Sequence, residues 1–128
     1  PDPSPMSVRP PSLYAPRGLT DPLTASIDRE VMEEKAGTLG RLLRELEKRL
    51  KRLKAFEADL PTHALPEDDP RRQEHANLID AAGETLWYTV IQRDLCGFTR
   101  TDQFLADMKV PKSVRLRMGV VARAAGTK

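Results

Sequence analysis

Few side chains in this sequence could do chemistry: two histidines, one cysteine and a short acidic run. His63 precedes Glu67, Asp68 and Asp69, which are hard-cation ligand types. The run lacks the glycine turn and ligand spacing of an EF-hand, so a solvated loop is expected, with Asp69 capping the helix that follows. His75 is expected on the apolar side of that helix, half-buried, with one hydrogen-bond partner. Cys96 stands one residue before Gly97 and reads as a small packed hydrophobe. A reactive thiolate needs exposure and positive charge, and Arg93 lies three residues before it on the helix. Gln92, Arg93 and Asp94 form a polar triplet in apolar surroundings. Asp94 is expected on the face of Trp87 and Val90, paired to Arg29, Lys35 or Arg100. No glycine-rich phosphate loop, nucleophile elbow or zinc pair at i, i+4 occurs. A single cysteine excludes an internal disulfide and a cysteine-rich zinc site. No catalytic residue, cofactor or metal ligand is therefore expected, and the chain does not read as an enzyme.

Charge is the second source of function. The formal net charge of +2 hides strong segregation. Residues 41–54 carry seven positive and two negative charges, residues 55–70 five negative and none positive, and residues 98–128 seven positive and two negative. A basic C-terminus of two short helices invites a helix-turn-helix reading, with Lys112, Arg115, Arg117 and Arg123 as nucleic-acid candidates. Against it, the turn at Val110 and Pro111 lacks the usual glycine. Arg9, Pro10, Pro11, Leu13 and Pro16 form a loose polyproline docking pattern, which any proline-rich leader would match.

The elements that position these groups follow from the prolines. Seven of eleven lie in the first 22 residues, and proline lacks the amide a helix or central strand needs. Residues 1–21 are expected as a disordered proline-rich tail, with Pro1–Pro5 an expression remnant ahead of Met6. Residues 22–125 are expected as a single helical domain. Its elements are a helix over about 23–60, a loop over 61–69, a helix over about 70–96, and short helices over about 102–109 and 112–124. Thr20 or Asp21 caps the first helix, Asp69 the second and Thr101 the third. Gly97 suits a left-handed C-cap. No alternating β-branched run predicts a strand.

The strongest pattern is a heptad. Leu39, Leu46, Leu53 and Leu60 recur every seven residues, and Leu43 and Leu50 fill the alternate positions, with Glu57 the one polar break. A parallel zipper would set Arg49 against Lys54 and carry Gly37 and Gly40 in its helix, each costing about 1 kcal/mol relative to alanine. Folding the chain back pairs Leu53 with Leu78, Leu50 with Ala82, Leu46 with Leu86 and Leu43 with Trp87, without an insertion. The fold expected is all-α: a long antiparallel helical hairpin, coiled-coil-like, plus two short C-terminal helices. Gly83 would let a neighbouring backbone approach. The first helix outruns the second, so Leu23, Ile27 and Val31 need cover, which the C-terminal helices are expected to supply.

The stretch from Trp87 through the Gln92–Gly97 run to Pro111 and Gly119 resembles a small all-α family of functionally uncharacterised bacterial proteins. The resemblance implies a small helical domain in a bacterial cytoplasm and no particular activity. The second helix is apolar over more than one partner can cover, so a homodimer is expected. Leu39, Leu43, Leu46, Leu50, Leu53, Trp87, Val90 and Ile91 are the interface candidates. The function expected is self-association and protein–protein contact with a partner the sequence does not identify. The alternative is a small basic nucleic-acid-binding protein using its helix-turn-helix-like C-terminus. No apolar run spans a membrane, and a cytoplasmic location is expected.

Overall fold

The computed structural model describes residues 21–126. Among them are four helices and no strand: α1 (Pro22–Ala58), α2 (Pro70–Leu95), α3 (Thr101–Asp107) and α4 (Lys112–Gly126). The fold is all-α, and no described helix is long and apolar enough to cross a membrane. The expected tail over residues 1–21, with its docking pattern from Arg9 to Pro16, lies outside the described residues except for Asp21. The chain divides into two compact units, Pro1–Glu34 and Lys35–Lys128.

In the first unit Asp21 starts α1. Its carboxylate accepts from the Leu23 amide at 3.1 Å and the Thr24 hydroxyl at 2.6 Å. Those bonds, the Thr24 hydroxyl foremost, hold its carboxyl below the usual carboxylate range. Pro22 has no amide to leave unsatisfied, which suits a first helical position. Leu23, Ile27 and Val31 are 70%, 50% and 44% exposed.

That core unites Leu46 and Leu53 of α1, Ala82 and Leu86 of α2, Phe104 and Leu105 of α3, Val110, and Val114 of α4. Leu43, Leu50, Leu78, Ile79, Val90, Met108 and Met118 pack around it. Buried Leu39, Leu46 and Leu53 fall on one line of α1 because seven residues are close to two helical turns. α1 stops at Ala58, short of the expected residue 60. Tighter turns follow, from Asp59 N to Phe56 O and Leu60 N to Glu57 O. Pro61 disfavours helical geometry at the residue before it, and this ends the helix early.

α2 opens on an Asp69 cap whose side chain accepts from the Arg71 amide, with Pro70 first in the helix. It closes in a Schellman turn: Gly97 is left-handed (φ 88°), its amide bonds Asp94 O, and the Phe98 amide bonds Arg93 O. The α3–α4 turn repeats this arrangement with a lysine where glycine is usual. Lys109 is left-handed (φ 55°), its amide bonds Ala106 O, and the Val110 amide bonds Leu105 O. Thr101, expected as a cap, is instead the first residue of α3. The cap position falls to left-handed Arg100, without a side-chain bond, where the chain turns after Arg93 has fixed the Thr99 carbonyl.

α4 packs tightly against α2 at Gly83. A Cβ on Gly83 would lie 2.8 Å and 2.9 Å from Arg117 Cγ and Cβ, and 3.2 Å from the Met118 amide nitrogen. Only glycine leaves room for that backbone.

Candidate interaction surface

Residues of α1 meet residues of α2 in descending order. Lys35 O accepts from Gln92 Nε2 at 3.1 Å. Arg49 Nη1 donates to Ala81 O and Thr85 Oγ1, each at 3.0 Å, while its Nε donates to Glu45 at 2.7 Å. Glu57 Oε2 lies 2.7 Å from His75 Nε2. The polar break in the heptad thus meets the helix histidine, whose ring also stacks on Phe56 at 5.8 Å. Arg49, which counts against a parallel zipper, is a clamp within this chain. Its partners in α2 could have been read from the same register that pairs the leucines.

Of the eight interface candidates, Leu39, Leu46 and Leu53 are buried, and Leu43, Leu50 and Val90 half-buried, all within this chain. Trp87 is half-buried and Ile91 is 37% exposed. What reaches solvent is an apolar strip on α2: Tyr88, Ile91 and Leu95, spaced by three and four residues and so on one face. Beside it a shallow groove runs between the helices, lined by Thr38, Arg41, Leu42 and Glu45 of α1 and by Tyr88, Ile91 and Gln92 of α2. Tyr88 is the residue sequence reasoning missed. Its spacing to Ile91 and Leu95 was the available signal.

The polar triplet behaves differently from expectation. Asp94 is exposed, so it needs no buried partner. Arg93, like Gln92, is half-buried, its guanidinium 4.3 Å from the Phe104 ring centre and 5.3 Å from that of Phe98, and it donates to Thr99 O at 2.8 Å. The physical reason is the Schellman turn, which folds Phe98 back onto the helix and gives Arg93 two ring faces. Cys96 is half-buried and free of any disulfide.

The acidic loop serves the helix start. Arg71 donates from its side chain and its amide to Asp69, and this holds the Asp69 carboxyl at about 2. Arg72 Nη1 donates to Leu65 O, closing the loop. His63 Nδ1 reaches only its neighbour's carbonyl, at 3.1 Å. Among the described residues no three histidine, cysteine or acidic side chains gather as metal ligands would.

The nucleic-acid candidates on α4 are scattered in role. Lys112 and Arg123 are exposed. Arg115 Nε donates to Val110 O at 3.3 Å, against the start of its own helix. Arg117 is half-buried, with its Nε 2.9 Å from Asp80 Oδ1 of α2. That contact is an ion pair without the alignment of a hydrogen bond. No protein-family model, curated protein or solved structure matches the chain.

Proposed function

We propose that the protein self-associates and acts through protein–protein contacts, on a core that is an antiparallel, coiled-coil-like hairpin of α1 and α2. The observation that carries the reading is the strip of Tyr88, Ile91 and Leu95, at 51%, 37% and 54% exposure, beside the Leu42 groove. Single exposed apolar residues are ordinary, but a contiguous row along one helix face is the form a docking surface takes. The descending contacts of Lys35, Arg49 and Glu57 with α2 support the hairpin. The buried line of Leu39, Leu46 and Leu53 supports its seam.

Sedimentation equilibrium at tens of micromolar tests the reading. The expected mass is that of a dimer, and Ile91→Glu is expected to return it to monomer with helicity unchanged. A monomer mass for the native chain sinks the proposal. The nucleic-acid alternative draws less support, because Arg117 is committed to Asp80 and Arg115 to Val110 O.

A further inference from the structure

Resting on that self-association, we propose that the groove of Thr38, Leu42, Tyr88 and Ile91 receives the acidic Pro22–Glu34 segment of a second copy, running antiparallel to the α1 stretch it lies on. Two features of the segment carry this. Leu23, Ile27 and Val31 recur every four residues and are all exposed, so they form an apolar stripe along one face. The segment with its cap, residues 21–34, holds five acidic residues and one basic. The groove presents the complement: exposed apolar surface from Tyr88 and Ile91 beside Leu42, at the head of the 41–54 stretch with its seven basic and two acidic residues.

Charge also selects the direction. A symmetric parallel pair of α1 helices would set acidic against acidic and basic against basic. Antiparallel docking sets unlike charges together, and a two-fold axis makes the exchange reciprocal. The flanks agree. Viewed down each segment at ~100° per residue, Glu30 lies to one side of the stripe and Glu34 on the same side of its centre. Arg41, Lys48 and Arg52 lie to the same hand of Thr38 and Leu42. A two-fold axis perpendicular to facing helices brings like-handed flanks together, and with the stripe seated on the Thr38–Leu42 groove this sets Glu30 beside Arg41, with Lys48 further along the same flank. All five are exposed in the single chain.

The test is a charge exchange read by sedimentation equilibrium. One variant carries Glu30→Lys and Glu34→Lys, the other Arg41→Glu and Lys48→Glu. Each alone is expected to weaken the dimer by about tenfold or more. Mixed in equal amounts they are expected to recover a heterodimer. Helicity by circular dichroism checks folding, and Ile27→Asp provides a second variant that removes the stripe without touching the bases. A native monomer overturns the self-association reading and this docking with it. A native dimer that survives both charge variants, or Ile27→Asp, overturns the docking and leaves self-association standing. Failure of the mixture to recover also overturns the docking.

Discussion

α2 is held on two sides by opposite means. Toward α1 the contact is made of side chains. Gln92 bonds the Lys35 carbonyl, Thr85 and the Ala81 carbonyl accept from Arg49, and His75 meets Glu57. Toward α4 the contact is made by a missing side chain. Gly83 admits Arg117 and the Met118 backbone, and Asp80 adds one ion pair. The first kind of contact tolerates adjustment because side chains can shift. The second sets backbone against backbone, where little can give.

The largest expected effect lies where the two sides share one core. Leu46 is fully buried in the cluster that joins all four helices. Leu46→Ala is expected to cost about 3 kcal/mol, read from urea unfolding. A loss below about 1 kcal/mol would mean that the cluster collapses around the gap and that the seam matters little. Next comes Gly83→Val, expected to cost about 2 kcal/mol through overpacking against α4. Its foil is Gly40→Ala in α1. A Cβ there would meet only the flexible end of Arg44, at 3.5 Å. That variant is expected to gain about 1 kcal/mol of helix propensity. If both substitutions moved stability the same way, the contrast between the two sides of α2 would fail.

The same contrast explains what the sequence could show. The all-α class was legible because prolines bound runs with no strand pattern. The leucines at seven-residue spacing announce a buried line, and Asp69 with Pro70 announces a helix start, since each rests on residue types in a local pattern. Gly83 was legible only as an opening. Nothing in its neighbours named α4 as the backbone that fills it, because the Arg117 stem and the Met118 amide carry no distinctive signature. Arg93 and Asp94 exchanged roles for a similar reason. Helical projection places both side chains as if the helix continued, and the Schellman turn brings Phe98 back onto the last turn. Tyr88 was passed over because a hydroxyl-bearing ring counts as neither core nor charge. Of the candidate surface, Ile91 was therefore named and its row was not.

The turns flanking α3 offer a smaller test of how much backbone geometry matters on the α4 side. Gly97 and Lys109 occupy equivalent left-handed positions, but only one has the residue that geometry favours. The left-handed region costs a residue with a Cβ roughly 1 kcal/mol. Lys109→Gly is expected to gain about that much in urea unfolding, less a few tenths for the freer unfolded chain. Gly97→Ala is expected to lose a similar amount, although nothing lies within 4 Å to obstruct its Cβ. A stability change in Lys109→Gly indistinguishable from zero would show that Lys109 is not strained where it stands.

The smallest effect concerns the polar side of the comparison, at the start of α2. The Arg71 side chain, and then its amide, lower the Asp69 carboxyl to about 2, against about 3.9 for an aspartate in an unfolded chain. The folded state therefore binds this proton less readily than the unfolded state. The cap's contribution is fully present above about pH 4 and is lost as pH falls toward 2. Asp69→Asn keeps a capping side chain and removes the titration. Other carboxylates titrate in both proteins, so the difference between their stability curves isolates Asp69. That difference is expected to be flat above pH 5 and to shrink between pH 4 and 2. Its amplitude should be small, because Arg71 remains solvent-accessible and exposed ion pairs are screened. A difference that stays constant down to pH 2 would mean that the Asp69–Arg71 pair is as strong in the unfolded chain. The start of α2 would then owe its position to Pro70 and the core rather than to its cap.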